Sequence, residues 1–382
     1  MKSRISSSLV VGVFLGLGLA VAASAQQPPR FITFDPSGSQ ATYPSGISDA
    51  GVITGDYYDS NSVSHGFVRT PDGEITTFDA PGAGSTPGLG LGTFPSSITS
   101  AGAITGYYTD ANNVAHGFLR DPRGDFTEFD VTGAGTGSGQ GTFAGNINEI
   151  GEIAGEYLDS DNVYHGFLRT PHGNIVTFNV TGAGTGASQG TYTAFTDGIN
   201  LLGATAGESE DANNVYHGFV RTPFGSIITF DAPGAGTGPG PAGCVSCPGT
   251  QSSGINLFGV IVGELLDNNT VWHGYVRAPD GFITTFEAPG AGSTPGSFQG
   301  TVAENINAGG AVTGYVTDGN YFDHGFVRSA NGQITVFDAP GAGSPPGGEF
   351  YGTVPYCNND EGAITGYYND ATGFAHGFLR TP

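Results

Sequence analysis

The sequence predicts an all-β fold, a seven-bladed β-propeller of four-stranded antiparallel blades, and three observations carry that expectation. The tripeptide His-Gly-Phe/Tyr recurs at His65, His116, His165, His217, His273, His324 and His376, with spacings of 51, 49, 52, 56, 51 and 52 residues. Around each copy the same frame returns: short stretches of Val, Ile, Thr, Phe and Tyr separated by Gly, Pro, Asn and Asp, which is how strands and turns alternate. The chain ends on His376-Gly377-Phe378-Leu379-Arg380 with no strand after it, whereas Phe31-Ile32-Thr33-Phe34-Asp35 matches the last strand of the repeat and has no strand before it. Pairing of that N-terminal segment into the last blade would close the ring and remove two sheet edges.

The second repeat shows the expected blade, with strands at Ser97–Thr99, Ala103–Tyr108, His116–Arg120 and Phe126–Asp130. Apolar and polar residues do not alternate strictly along these strands, as expected of a sheet packed on both faces by its neighbours. The innermost strand is rich in small residues (Gly46, Ser97, Asn146, Gly198, Gly254, Asn305, Cys357), which suits strands crowded around a narrow axis. Helical periodicity is missing after residue 25.

Residues 1–25 read as a Sec signal peptide: Lys2 and Arg4 precede an apolar run from Leu9 to Ala22, and Ala23-Ser24-Ala25 offers a cleavage site. The run is too short to span a bilayer, so residues 26–382 are expected to form one exported propeller domain, secreted or periplasmic, with no membrane insertion. Eleven Lys and Arg stand against 34 Asp and Glu; two of the eleven lie in the leader, leaving nine. So acidic a surface repels phosphate backbones and excludes nucleic acid as a partner. Carbohydrate or protein remains, bound by a monomer.

The frame resembles the bacterial extracellular repeat called the HAF family, after its His-Ala-Phe tripeptide, with Gly here in place of Ala. The resemblance covers all seven copies and implies neither a reaction nor a ligand.

A residue present in every repeat is needed to build a repeat. By that test the seven histidines are scaffold, as are Arg69, Arg120, Arg169, Arg221, Arg277, Arg328 and Arg380, which are expected to pair with carboxylates. Asp59, Asp110, Asp159, Asp211, Asp267, Asp318 and Asp370 open the hairpin between the second and third strands, where Asp is a turn former. Alternate oxygens such as Asp59-x-Asn61 also admit calcium, but the EF-hand Gly and Glu are missing and no cofactor is required. Gly186-Ala187-Ser188-Gln189-Gly190 matches a nucleophile elbow in letters alone, since no strand and helix flank it. Cys244 and Cys247, in the longest inter-repeat loop, are candidates for a local disulfide.

Specific chemistry on a symmetric scaffold must come from positions where repeats differ. The residue before the histidine is Tyr164, Tyr216 and Trp272 in repeats three to five, and the residue after the second-strand Gly is Glu156, Glu208 and Glu264 in the same three. Strand alternation places them on the face carrying the hairpins and long loops. Rings beside carboxylates suit a sugar or a cationic group; the alternative is that the rings pack on neighbouring hairpins and the glutamates pair with the repeated arginines. The leading reading is therefore a non-enzymatic binding or scaffold module for carbohydrate or protein. A polysaccharide hydrolase or lyase using these carboxylates, and a purely structural envelope or matrix protein, are the alternatives.

Overall fold

In the computed structural model the described residues are 28–194, 196–240, 247–348 and 350–382; the expected leader and Cys244 fall outside them. Every helix or strand among these residues is a β-strand, 28 in all, and they fall into antiparallel sets of four, one for each copy of the tripeptide. In the second repeat Gly92–Ile98, Ile104–Thr109, Ala115–Arg120 and Phe126–Phe129 pair in order. The last repeat has Tyr351–Asn358, Ile364–Asn369 and Ala375–Thr381, and its outer strand is Arg30–Phe34, paired from Arg30↔Thr381 to Phe34↔Gly377.

The first strand is longer than the sequence suggests. Gly92 and Pro95 read as turn residues, yet both lie inside the strand. Gly92 has φ of +143° and passes so close to the preceding repeat that a Cβ would stand 1.9 Å from the Ser64 carbonyl oxygen. Pro95 adjoins a β-bulge between Pro95 and Ser97, where a missing N–H is tolerated.

The apolar core lies between repeats rather than within them. Val131 and Phe129 of the second repeat pack with Ile153 and Phe167 of the third, and Phe34 and Leu379 of the last pack with Ile53 and Phe67 of the first. Polar links follow the same joints. The backbone N–H of Ala80, Val131, Val180, Ala232, Ala288 and Ala339 each donates to a buried Thr hydroxyl of the next repeat, from Thr93 to Thr353, at 2.9–3.0 Å. At the corresponding place Pro36 has no N–H, and Thr42 donates instead to Asp35 at 2.7 Å. On the opposite face the amides of Asn148, Asn200, Asn256, Asn307 and Asn359 donate to backbone carbonyls of Asn200, Asn256, Asn307, Asn359 and Ser48.

The repeated arginines do not pair with carboxylates. Each guanidinium lies over the outer-strand Phe of the preceding repeat, from 4.6 Å for Arg277 over Phe230 to 5.2 Å for Arg221 over Phe178. The physical reason is position: at the buried joint there is a ring face in reach, and burial lowers the guanidinium pKa without displacing its charge. The histidines link the third strand to the residue after the outer strand as well as to the hairpin. In six of them Nδ1 meets the residue fourteen positions on, as in His65 to Asp79 at 2.8 Å, and in His376 it meets Asp35 at 2.7 Å; the Nε2 of His65 faces the hairpin Asp59.

The fourth repeat departs from the frame. From Gly190 to Asn200 it has ten steps where Gly141 to Asn148 has seven, and its first strand stops at Thr193. Gly198 is therefore not in the inner strand. The extra residues reach across to other repeats: the Thr196 hydroxyl donates to the carbonyls of Ser253 and Glu304, and Asp197 Oδ2 accepts from Asn305 Nδ2 at 2.7 Å.

Replacing Thr250 by Val keeps the shape and removes the acceptor of the Ala232 N–H, leaving a buried donor unpaired. Urea unfolding should show a loss of about 1–3 kcal/mol, with Thr250→Ser losing clearly less; equal losses would assign the effect to packing.

Candidate functional site

Second-strand residues that follow the strand Gly face residues of the first strand across the pair: Asp56↔Tyr43, Tyr107↔Phe94, Glu156↔Phe143, Glu208↔Tyr192 and Glu264↔Gln251. Their flanking positions are buried and they are half-buried, so they form a wall, of which Asp56, Tyr107 and Glu264 line hollows. Trp272 opens the third strand of its repeat and reaches the same wall.

A hollow of about 540 Å³ lies where repeats five, six and seven meet. Glu264 and Trp272 of the expected set line it together with Glu304, Asp323, Tyr315, Tyr356 and Tyr367, and Phe298 and Phe350 contribute from inter-repeat loops. The other four expected residues stand elsewhere. Tyr164 and Tyr216 flank Tyr192, with ring centroids 4.5 and 6.0 Å away. Glu156 Oε2 accepts from the Thr193 N–H at 3.0 Å and hydroxyl at 2.8 Å, and Glu208 Oε2 accepts from the Ser252 N–H at 3.3 Å. Neither bonds to a repeated arginine. Glu264 Oε2 accepts from the Ser253 hydroxyl at 2.9 Å.

Burial dominates the electrostatics of this wall. It pushes Glu156 and Glu304 up to about 7 and Glu208 to about 8, and it holds Glu264 well above the carboxylate range, with repulsion from Glu304 adding to the shift. Asp323, whose Oδ1 accepts from the Thr317 hydroxyl at 2.6 Å, is likewise raised to about 7. Near neutrality Glu304 and Asp323 are divided between acid and carboxylate, so the hollow presents both hydroxyl donors and oxygen acceptors.

Glu304 and Asp323 were not among the expected site residues, although each occupies a variable position. Glu304 stands at the bulge that holds Ser45, Ser96, Gly145 or Ser253 in other repeats. Asp323 precedes the histidine of repeat six, in the position of Trp272.

The hairpin aspartates are occupied by their own turns. Asp59 Oδ1 accepts from the N–H of Asn61 and Val63 at 2.8 and 2.9 Å, and Oδ2 from the Asn61 amide. Among the described residues no group of three or more His, Cys, Asp and Glu is placed to hold a metal ion. Ser188 sits in a loop with φ of +66°, where its N–H donates to the Asn162 carbonyl, and is not on a strand-to-helix elbow. Cys247 is disulfide-bonded, its expected partner Cys244 lies outside the described residues, and Cys357 is a free buried thiol.

No family model matches the chain, HAF-type repeats included, and no curated protein does. Among solved structures a puromycin hydrolase aligns at 12% identity and a TM-score of 0.51, over 88% of this chain and 53% of that one, so this chain spans about half its length. The BP39L lectin of Burkholderia pseudomallei aligns at 11% identity and 0.49, over 90% and 100%, and the Aleuria aurantia lectin at 9% and 0.41, over 90% and 93%. These neighbours are propeller-type folds. At such identities the likeness to the hydrolase shows the fold alone: the chain is all-β and of propeller type.

Proposed function

We propose that this chain is an exported, seven-bladed propeller, closed by its N-terminal strand, which binds carbohydrate without turning it over. The leader-like residues 1–25 support export. Closure is supported by the pairing of Arg30–Phe34 with Ala375–Thr381, and by hydrogen bonds from Asn359 Nδ2 to the Ser48 carbonyl and from the Asp360 N–H to Asp49. The observation that carries the binding function is the hollow in which Trp272, Tyr356 and Tyr367 stand among Glu264, Glu304 and Asp323. A pyranose presents C–H faces that stack on rings and hydroxyls that need donors and acceptors at its rim.

A second reading, cleavage of an extracellular polysaccharide, draws on one observation: Glu264 has another raised carboxyl, Glu304, as its neighbour. One could serve as acid and the other as base. Release of reducing ends that Glu304→Gln abolishes would favour it over simple binding.

A glycan array followed by calorimetry tests the binding function. Trp272→Ala should weaken the best ligand by more than about tenfold, equivalent to about 1.4 kcal/mol. An array without hits, or unchanged affinity in that variant, overturns the proposal.

The pH dependence has a definite sign. A neutral ligand that covers Glu264, Glu304 and Asp323 takes them further from water and favours their protonated forms, so binding takes up protons and affinity should fall as pH rises from about 6 to about 9. Stability should move the same way. These carboxyls titrate higher folded than unfolded, so the folded state holds the extra protons and loses that stabilisation as pH rises through about 7. A thermal scan should give a lower Tm at about pH 8 than at about pH 5, and Glu304→Gln should reduce the difference.

A further inference from the structure

We propose a second binding site, between the first and second repeats, that takes an organic cation with an alkylated ammonium group. A hollow of about 370 Å³ opens there on the same face, and its walls are aromatic: Tyr43, Tyr58, Phe94, Tyr107 and Tyr356. Tyr43 and Tyr58 meet edge to face with centroids 6.2 Å apart, and Phe94 and Tyr107 stack at 4.9 Å. One acidic side chain, Asp56, lies among them, held by register opposite Tyr43.

The polar complement of this hollow differs from that of the larger one. Ser45 and Ser96 already donate to the carbonyls of Pro95 and Ala144, at 2.7 and 3.3 Å. Asp56 Oδ2 accepts from the Ser64 hydroxyl at 3.2 Å. The hydrogen-bond partners left for a sugar are the hydroxyls of Tyr43, Tyr58 and Tyr107 and the single carboxyl of Asp56, against three carboxyls in the larger hollow. An alkylated ammonium needs none: it is attracted to ring faces by their quadrupoles and to Asp56 by charge.

The groups around Asp56 sharpen this assignment. Tyr43, Tyr58 and Tyr107 face it from the first and second strands and from the next repeat, and burial with the Asp56 charge pushes all three hydroxyls above their ordinary value. They stay neutral, and no arginine or histidine is among the groups that shift Asp56, which burial raises to about 7. A bound cation would stabilise the carboxylate and expel its proton.

Calorimetry on the full protein with choline, and with the neutral tert-butyl analogue of choline, provides the test. Choline should bind at least about tenfold more tightly than its neutral analogue. Asp56→Asn should remove that preference while circular dichroism and Tm stay unchanged, and choline affinity should rise with pH through about 7, opposite to the larger hollow. Equal binding of the two compounds, no choline binding at about 10 mM, or an unaltered preference in Asp56→Asn would each overturn the proposal. Should the variant fail to fold, the comparison of the two compounds on the unaltered protein decides the matter.

Discussion

The fold depends on one aromatic ring used twice. The outer-strand Phe of each repeat lies against the Gly of its own His-Gly-Phe/Tyr segment and beneath the Arg of the next repeat. Phe78 is typical: a Cβ at Gly66 would stand 2.5 Å from its ring, and the Arg120 guanidinium sits 4.7 Å above it. Any side chain on that Gly would lift the ring, and lifting the ring would displace the Arg and open the joint. Phe34 does the same between the last repeat and the first, with a Gly377 Cβ at 2.8 Å and Arg69 at 4.9 Å. Gly, Phe and Arg therefore recur together because they are three parts of one contact.

Much of this was legible in the sequence because the repeat makes its own alignment. Strand order, the pairing of Arg30–Phe34 with the C-terminal strand and the scaffold role of His, Asp and Arg all follow from counting positions. The partner of the arginines was not legible. Pairing with a carboxylate is the ordinary expectation for an isolated cation, and only the packing of one repeat on the next puts a ring face closer than any acid. The length of the inner strand was hidden for a related reason: Gly92 and Pro95 mark turns by composition, but here they answer to a close approach between repeats and a bulge within a continuous strand.

The candidate site was half legible. Variation between repeats singled out Glu264 and Trp272, which the structure brings together in one hollow, because a hollow on a symmetric scaffold is formed by the residues that break the pattern. Sequence order misjudged which repeats cooperate. It grouped Glu156, Glu208, Tyr164 and Tyr216 with Trp272 because they share a residue type, whereas the structure gives Trp272 the residues of repeats six and seven as neighbours. Glu156 and Glu208 are committed to N–H groups of the next repeat instead.

The arginine contact also determines the chemistry left for the hollows. After residue 25 the chain has nine arginines and no lysine, and seven of the nine are those stacked at the joints. Arg123 pairs with Asp121 on the surface at 2.8 Å, and Arg30 lies on the outer strand of the last repeat. No arginine lines either hollow. Buried carboxyls there relieve their desolvation by holding protons or by meeting a ligand, since no arginine is at hand. Where several carboxyls share a hollow, as Glu264, Glu304 and Asp323 do, burial, with repulsion from Glu304 added at Glu264, favours protonation and a neutral ligand rich in hydroxyls. Where Asp56 stands alone among rings, the same shortage of cations favours a ligand that brings its own positive charge. One structural commitment, arginine to the joints, thus separates two hollows of similar construction into two kinds of site.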